Sequence, residues 1–177
     1  VHLGMTGYFH WGKGESKREK HDHVEWQLDN LWLRYHDTRR FGFIRWYESL
    51  EDCAFLKKLG PEPLSSDFNP SYLLESCRSK RVPIKAWIMD QRCVVGVGNI
   101  YASEALFIAG IHPAAPCGTV SLDRLSVLVA TIKNVLSRAI SAGGTTIRDY
   151  QGPDSKPGYF VQELNVYGRK GLPCVSC

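Results

Sequence analysis

Two cysteines at the end of the printed sequence have the spacing of a metal-binding knuckle. Cys174 and Cys177 are separated by two residues and follow Pro173. Such a pair supplies two thiolates, whereas a closed structural zinc site has four ligands in a tetrahedron. We therefore expect half of a Cys₄ zinc site, with the other half beyond residue 177. Residue 1 is Val and not Met, so we expect an internal piece of a longer protein.

A glycine-rich segment stands directly before a predicted helix. Gly96 and Gly98 precede Asn99, which we predict to be the N-cap because Asn is favoured there. Free backbone N–H groups and the positive end of the helix dipole suit a phosphate. Clustered cations nearby, opposed by Asp90, indicate contact with a nucleic-acid backbone. A plain turn and a solvated basic helix face are the alternatives. The cations are Arg78, Lys80, Arg81, Lys85 and Arg92.

Two glycine-punctuated loops each present an apolar side chain beside turn residues. Met5 lies in segment 2–7, and Phe41 lies in segment 37–42 next to Arg39. An apolar wedge beside arginine can separate stacked bases, because the wedge replaces lost stacking while the guanidinium binds the exposed base or phosphate. The alternative is that Met5 and Phe41 are ordinary core contacts.

The composition is that of a globular, mildly basic protein. Of the 177 residues 44% are apolar, and 22 Lys and Arg stand against 18 Asp and Glu. This length suffices for one or two small domains. No apolar run approaches the ~18 residues of a membrane-spanning helix, and no secretory signal pattern is present. Four scattered cysteines predict reduced structural thiols rather than a disulfide framework. They are Cys53, Cys77, Cys93 and Cys117.

The elements that must position these residues predict an α+β fold. Alternating residues at 24–28 and 31–35 around Asp29-Asn30 predict a β-hairpin, 41–47 predicts a further strand, and 13–20 predicts a loop. Helices are predicted at 70–80, 84–90, 99–109 and 122–142, followed by an exposed loop at 143–160. In the last helix one buried face is predicted from Leu125, Leu128, Val129, Ile132, Val135, Leu136, Ala139 and Ile140.

Eight motifs follow one another along the chain. They are His-Leu-Gly-Met-Thr-Gly at 2–7, Lys-His-Asp-His-Val at 20–24, Arg-Arg-Phe-Gly at 39–42, Leu-Gly-Pro-Glu-Pro-Leu at 59–64, Val-Gly-Val-Gly-Asn-Ile-Tyr-Ala-Ser-Glu-Ala-Leu-Phe at 95–107, Gly-Gly-Thr-Thr at 143–146, Lys-Pro-Gly-Tyr-Phe at 156–160 and Val-Tyr-Gly-Arg-Lys-Gly at 166–171. With the Cys-x-x-Cys pair, they resemble the bacterial formamidopyrimidine-DNA glycosylase family.

The resemblance implies a domain order and an activity. Residues 1–58 would be part of an N-terminal β-sandwich, 59–64 a hinge, 65–160 a helix-two-turn-helix domain and 161–177 the start of a zinc-finger β-hairpin. The family excises 8-oxoguanine and formamidopyrimidines from damaged double-stranded DNA and cleaves the abasic site by β,δ-elimination. We expect a bacterial cytoplasmic monomer, associated with the nucleoid through DNA, with one zinc ion in the intact protein.

The resemblance also implies roles for single residues. Met5, Arg39 and Phe41 would fill the gap left by the everted nucleotide, with Arg39 facing the orphaned base. The bent DNA backbone would be held by His21, Lys80, Lys85 and Asn99. A base-capping loop at 143–160 would include Thr145, Thr146, Arg148, Tyr150, Ser155 and Tyr159. Cys174 and Cys177 would hold zinc.

The printed sequence lacks several parts of the family pattern. These are the N-terminal proline nucleophile, the glutamate after it, a lysine of the β domain, the second cysteine pair and the finger arginine. A terminal secondary amine forms an iminium with the sugar carbon, so we expect the printed residues alone to be inactive. One alternative is an endonuclease VIII type enzyme for oxidised pyrimidines, which Met5 with Arg39 and Phe41 argues against. Another is a non-catalytic DNA-binding module with equal affinity for damaged and undamaged duplex.

Overall fold

The computed structural model describes residues 1–142 and 164–177. By their contacts these residues form two compact units: a sheet unit, residues 1–48, and a helical unit, residues 49–142 and 164–177. Residues 49–58 were predicted to belong to the β domain, whereas their contacts group them with the helices. This segment forms two short 3-10 helices, Leu50–Asp52 and Leu56–Lys58, and buries Cys53 between them.

The sheet unit is built on three antiparallel strands within residues 1–48. β1 is Gly7–Lys13, β2 is Asp22–Leu28 and β3 is Leu31–Asp37, in the order β1-β3-β2. β2 and β3 form the predicted hairpin, and Asp29 takes the left-handed conformation (φ 52°) that Asp tolerates in turns. β3 is therefore the central strand, and its side chains decide what each face of the sheet carries.

The two faces of the sheet differ because successive side chains point to opposite sides. On one face Phe9 packs against Trp26 and Tyr35, with ring centroids 6.0 and 5.5 Å apart. On the other face Arg34 is buried and donates to the carbonyl oxygens of Ser16 (2.5 Å) and Lys17 (3.0 Å). Arg34 thus fastens the predicted loop, which follows β1, to the polar face.

The strand predicted at 41–47 is wrong. In this segment the structure has one isolated bridge, between His2 and Phe43. The chain turns sharply at Arg40, which takes a left-handed conformation (φ 57°), and the Gly42 N–H donates to the Asp37 side chain at 2.9 Å. Because the Gly42 N–H donates to a side chain, it is not available to pair with a neighbouring strand. Regular strand pairing therefore does not continue.

The helical unit contains the four predicted helices. α1 is Pro70–Cys77, α2 is Ile84–Ile88, α3 is Asn99–Ile108 and α4 is Leu122–Ser141. Each begins at the predicted residue and ends one to three residues earlier than predicted. Asn69 caps α1 by accepting from the Tyr72 N–H at 2.9 Å, and that helix ends before Ser79, which is left-handed (φ 59°).

The core of the helical unit lies between α1, α3 and α4. The predicted stripe on α4 is confirmed from Leu125 to Ala139, whereas Ile140 is 66% exposed and the prediction for it is wrong. The buried thiols of Cys77 and Cys93 belong to this core, and burial raises the pKa of each to about 12. Cys117 is buried in the same core, and Cys53 is buried as well, so the prediction that these four cysteines are structural is confirmed by their burial.

The segment 59–64, predicted to be a hinge, packs against the turns between α2 and α3. Gly60 N–H donates to the Gln91 carbonyl at 2.7 Å, and Val95 N–H donates to the Pro61 carbonyl at 3.2 Å. A Cβ on Gly60 would lie 2.5 Å from the Cys93 carbonyl oxygen. Glycine is therefore required for this close approach, which holds the segment leading into α3.

A buried carboxylate fastens the C-terminal segment to α3. Glu104 accepts from the backbone N–H groups of Asn165, Val166 and Tyr167 at 2.8–2.9 Å. Burial raises the pKa of Glu104, but these donors outweigh burial and lower the pKa overall. Residues 164–177 contain turns and no strand, so the β-hairpin expected to begin there stays a prediction. None of the helices within the described ranges is long and apolar enough to cross a membrane.

Candidate nucleic-acid interface

Met5, Arg39 and Phe41 meet on the surface of the sheet unit, and we call these three residues the wedge cluster. Arg39 Nη1 lies 3.7 Å from Met5 Sδ, and the guanidinium lies 4.8 Å from the Phe41 ring centroid. Met5 is 71% exposed and Phe41 is 58% exposed. Exposure of this degree contradicts the alternative that these side chains are core contacts.

Asp37 joins the two loops that carry the wedge cluster. Its buried carboxylate accepts from Thr6 Oγ1 at 2.6 Å, Tyr35 Oη at 3.1 Å and Gly42 N at 2.9 Å. Thr6 Oγ1 in turn accepts from the Arg39 N–H at 3.1 Å. Burial raises the pKa of Asp37, but the donors outweigh burial and lower the pKa to about 2. The carboxylate is therefore ionised at neutral pH and holds both loops in one arrangement.

Close packing of the same loops depends on two glycines. Gly4 is left-handed (φ 66°), and a Cβ there would lie 2.8 Å from the Gly42 nitrogen. A Cβ on Gly42 would lie 1.8 Å from Tyr35 Oη. Any side chain at either position would push the loops apart and separate Met5 from Phe41.

His21, predicted to hold the DNA backbone, lies in the turn directly before β2 and is partly buried. Its ring stands edge-on to His36, with centroids 5.7 Å apart, and its carbonyl accepts from the Asp37 N–H at 3.0 Å. The strand pairing therefore fixes the backbone of His21 next to the residue that organises the wedge cluster.

In the helical unit the N-terminus of α3 is open. The predicted N-cap, Asn99, is wrong: Gly98 is the N-cap, Asn99 is the first helical residue, and no side chain caps the helix. The exposed Asn99 side chain is thus not used as a cap, and a Cβ on Gly98 would meet no atom of residues 1–142 and 164–177 within 4 Å. Space above uncapped N–H groups is what a phosphate oxygen requires.

Cations near this helix are partly neutralised. Arg92 binds Asp90 at 2.5 Å, and Arg78 binds Glu75 at 3.2 Å, so Asp90 is not the sole opposing acid as the sequence suggested. Lys80 places its ammonium nitrogen 4.5 Å from the Trp87 ring centroid. Among the described residues, Lys80 and Lys85 have no carboxylate partner within ion-pair distance, so they are better placed than Arg78 and Arg92 to meet a phosphate.

Lys80 is also held by the backbone around it. Gly118 N–H donates to the Lys80 carbonyl at 3.1 Å, and the Lys85 N–H donates to the Pro113 carbonyl at 3.2 Å. A Cβ on Gly118 would lie 2.8 Å from the Lys80 carbonyl oxygen. These contacts fix the backbone at both lysines, so each side chain begins from a rigid position.

The C-terminal cysteines are exposed free thiols. The Ser176 N–H points to Cys174 Sγ at 3.4 Å, and this donor lowers the pKa of Cys174. The neighbouring Cys177 has a raised pKa because it hydrogen-bonds to Cys174 and meets its negative charge. Two adjacent thiols, one of which is stabilised as a thiolate, fit half of a tetrahedral zinc site.

Sequence reasoning missed the residues that organise the wedge cluster. Thr6, Tyr35 and Asp37 do this through contacts across two loops and a strand, and no local pattern distinguishes them from ordinary turn and strand residues. The predicted capping-loop residues lie outside the described residues: Thr145, Thr146, Arg148, Tyr150, Ser155 and Tyr159.

Two family models match the chain. The model of the formamidopyrimidine-DNA glycosylase N-terminal domain matches residues 1–44, and that of the formamidopyrimidine-DNA glycosylase H2TH domain matches residues 59–151. The second model alone covers more than half of the chain.

Curated relatives align with the whole chain. The formamidopyrimidine-DNA glycosylase of Serratia proteamaculans (strain 568) is 54% identical over 178 residues, and that of Pectobacterium carotovorum subsp. carotovorum (strain PC1) is 52% identical. Each alignment covers 100% of this chain and 66% of the relative. The chain thus spans slightly less than two thirds of the length of these relatives.

Solved structures have the same fold. The MutM (Fpg) protein from Thermus thermophilus superposes with a TM-score of 0.87 at 38% identity. The Lactococcus lactis Fpg in complex with DNA that contains an abasic site also superposes with a TM-score of 0.87, at 36% identity. Both matches cover 99% of this chain and 65% of the solved chain.

Proposed function

The chain belongs to the formamidopyrimidine-DNA glycosylase family, and from this premise we propose that it forms the DNA-reading part of a base-excision repair enzyme for oxidised purines. The observation that carries this proposal is the wedge cluster: Met5 and Phe41 are exposed but held together through Arg39 and buried Asp37. Exposed apolar side chains on two loops that are held together suit insertion into a base stack.

The wedge cluster acts when a damaged nucleotide leaves the stack. Unstacking costs a few kcal/mol, and the side chains of Met5 and Phe41 recover part of this cost by filling the vacated space. Arg39 faces the base that has lost its partner and donates to its exposed edge. Because Asp37 fixes both loops beforehand, little conformational entropy is lost at insertion.

Phosphates are held by the helical unit and by His21. Lys80 and Lys85 supply positive charge, and the open N-terminus of α3 supplies backbone N–H groups beside Asn99. Such contacts fix the register of the protein on the duplex without reading bases. They also support the bend that base eversion requires.

In this family the N-terminal proline is the nucleophile for base excision and DNA strand cleavage. The printed residues do not include it. In the intact protein we propose N-glycosylase activity followed by β,δ-elimination through an iminium at the sugar carbon. Solved Lactococcus lactis relatives in complex with Fapy-dG DNA and with abasic-site DNA support this substrate class. The sheet and helical units bind and bend the duplex, and they position the everted nucleotide.

Zinc would be held by Cys174 and Cys177 together with two further cysteines of the intact protein. When bound, zinc would supply folding energy to the finger and no step of the chemistry. Glu104 fixes the backbone at 165–167, which leads to this cysteine pair. We also propose a monomer that resides in the bacterial cytoplasm and associates with the nucleoid through damaged duplex DNA.

Removing the wedge is expected to slow base excision without loss of stability. We define the completed protein as residues 1–177 together with the family's N-terminal residues and second cysteine pair. In it, Phe41→Ala and Met5→Ala should each slow excision of 8-oxoguanine by about 10- to 100-fold, because about 1–3 kcal/mol of stacking compensation is lost. Single-turnover excision rates and melting temperatures measure both effects.

The control for the wedge is Val127→Ala, which truncates another exposed apolar side chain, on α4. It should leave the rate unchanged, and lesions in mismatched duplex should depend less on the wedge because their bases are already less well stacked. An unchanged rate with a lower melting temperature in Phe41→Ala would contradict the wedge role. Faster excision of an oxidised pyrimidine than of 8-oxoguanine would contradict the proposed substrate.

Residues that contact phosphates are expected to contribute equally to the affinity for damaged and for undamaged duplex. Lys80→Ala should weaken binding to damaged and undamaged duplex alike and reduce the slope of log K against log salt concentration by about 0.9, the value for one phosphate contact. Asn99→Ala should weaken both complexes with little change in slope. Fluorescence anisotropy over a salt series measures both quantities.

Lys57→Ala is the matched control for the charge change, since Lys57 lies on the exposed 3-10 helix Leu56–Lys58. It should change the salt slope less than Lys80→Ala does. A loss of affinity confined to damaged DNA would indicate that Lys80 or Asn99 contacts the damaged base rather than a phosphate. Equal affinity of the unsubstituted protein for damaged and undamaged duplex would favour a non-catalytic binding module.

A further inference from the structure

Two imidazoles and one carboxylate converge on the polar face of the sheet unit. Asp22 Oδ1 lies 2.9 Å from His10 Nε2 and 3.0 Å from His36 Nδ1. These three potential ligand atoms all lie within 4.8 Å of one another. The proposed DNA interface uses none of the three side chains.

The strand register holds this cluster in place. On the central strand, His36 pairs with Tyr8 of β1 and with Asp22 of β2, and His10 lies two residues beyond Tyr8 on the same face. Tyr8 stacks on the His36 ring at 4.8 Å, and Trp32 meets the His10 ring edge-on at 5.3 Å. Both imidazoles are therefore oriented by neighbouring rings.

The second carboxylate oxygen of Asp22 and the second ring nitrogen of His36 have hydrogen-bond partners outside the cluster. Asp22 Oδ2 accepts from the Glu19 N–H at 2.9 Å, which leaves Oδ1 directed at the two imidazoles. His36 Nε2 lies 3.4 Å from Thr38 Oγ1, an oxygen that can accept a hydrogen bond from the Nε2–H group when Nδ1 binds the metal. Partners of this kind orient the ligands of metal sites and select the coordinating nitrogen.

Burial and charge are compatible with a cation. The side chains of Asp22 and His36 are 1% and 9% exposed, whereas that of His10 is 23% exposed and gives access from solvent. The guanidinium of Arg34 lies 3.8 Å from Asp22 Oδ2, the oxygen that the imidazoles do not contact. Its charge is compensated by Glu25 at 2.5 Å, so Asp22 retains charge to offer a metal ion.

We propose that His10, Asp22 and His36 bind one divalent transition-metal ion, with Zn²⁺ the expected occupant. Two neutral imidazoles and one carboxylate form a set of three ligands that leaves a coordination position for water. In a tetrahedral zinc site with bonds of about 2.0–2.1 Å, neighbouring ligand atoms are about 3.3 Å apart. To reach this geometry, each imidazole nitrogen would retreat from Oδ1 by a few tenths of an ångström, and the two nitrogens, which lie within 4.8 Å of each other, would close to the same spacing.

This site differs from the cysteine pair in its ligand chemistry. Cys174 and Cys177 offer sulfur, whereas the sheet site offers nitrogen and oxygen. Co²⁺ bound to thiolate gives sulfur-to-metal charge-transfer absorption, and Co²⁺ bound to nitrogen and oxygen does not. The two sites can therefore be distinguished in one protein.

The test uses the full 177-residue chain with Cys174→Ser and Cys177→Ser, titrated with Co²⁺ alone and then with Zn²⁺. We expect one equivalent of Co²⁺ with ligand-field bands and no thiolate charge transfer, and its displacement by Zn²⁺. Removing an outer partner costs about 10–100-fold in metal affinity, so His10→Gln and His36→Gln should each cost more than 100-fold. Thr38→Val should cost about tenfold.

His112→Gln is the matched control, because His112 is an exposed histidine of the helical unit. It should leave the affinity unchanged. His10→Gln decides the outcome if His36→Gln does not fold, since His10 is the more exposed ligand; circular dichroism checks the fold of each variant. Absence of Co²⁺ binding in the serine background, or binding that survives His10→Gln, would overturn the proposal and leave a purely hydrogen-bonded cluster.

Discussion

Asp37→Ala is expected to lower the free energy of unfolding of the sheet unit by about 3–5 kcal/mol, the range for leaving buried polar groups without their charged partner. The carboxylate accepts from Thr6, Tyr35 and Gly42, and alanine would leave these three donors unsatisfied. Asp37 is fully buried, so water cannot replace the lost acceptor without opening the loops.

Denaturant unfolding monitored by tryptophan fluorescence measures this effect. Four of the five tryptophans lie in the sheet unit, so the signal reports mainly on that unit. Glu15→Ala is the control, because Glu15 is an exposed acid in the loop after β1, and surface substitutions usually stay within about 0.5 kcal/mol. A loss below about 1 kcal/mol in Asp37→Ala would contradict the role assigned to this carboxylate.

The same carboxylate predicts a pH dependence. Its folded pKa is about 2, below the ordinary value of 3.8, so the ionised form stabilises the fold. This contribution, roughly 2 kcal/mol, is fully present above about pH 4 and disappears as the pH falls towards 2. Asp37→Asn does not titrate, so it should lose stability less steeply over this range. Equal slopes in the two proteins would show that Asp37 does not titrate with a depressed pKa.

A polypeptide of residues 1–177 alone is expected to give neither a borohydride crosslink nor strand scission with duplex that contains 8-oxoguanine. The completed protein should give both. The crosslink forms when borohydride reduces an iminium between a terminal secondary amine and the sugar carbon. The crosslink requires the nucleophile. We therefore expect crosslinked product from the completed protein and none from residues 1–177 alone.

Internal lysines are poor substitutes for the terminal amine. A nucleophilic amine must be unprotonated, and an ordinary lysine with a pKa of ~10.4 is almost wholly protonated at neutral pH. The ammonium nitrogen of Lys80 lies 4.5 Å from the Trp87 ring centroid, in a cation–π contact. The position of Lys80 thus suits phosphate binding rather than nucleophilic attack on the sugar carbon.

Denaturing gel electrophoresis after borohydride treatment measures the crosslink. The control is the completed protein with its N-terminal amine blocked, which should bind duplex and give no crosslink. Intact mass must establish that the shorter sample contains residues 1–177 and nothing more. An efficient crosslink from that sample would overturn the assignment of the nucleophile to the family's N-terminal proline and would point instead to a lysine of residues 1–177.

Local sequence signals determined where most elements begin. Pro70 after Asn69, the two glycines before Asn99 and Asp29-Asn30 between alternating residues act within a few positions of the elements they start. Helix starts and the hairpin were therefore predictable. The buried stripe of α4 followed as well, because its period is a property of the helix itself.

The structure decided the features that depend on the backbone conformation at single residues and on contacts between side chain and backbone or between distant residues. Asn99 became the first helical residue rather than the cap because the backbone extends at Gly98, and 41–47 failed to form a strand because Asp37 takes the Gly42 N–H. Composition could not tell whether Met5 and Phe41 were core or surface. Their exposure results from the close approach of two loops more than 30 residues apart, and the convergence of His10, Asp22 and His36 results from strand register. Both features are determined by contacts between segments that are distant in the sequence. A local sequence pattern does not indicate which distant segment it will contact.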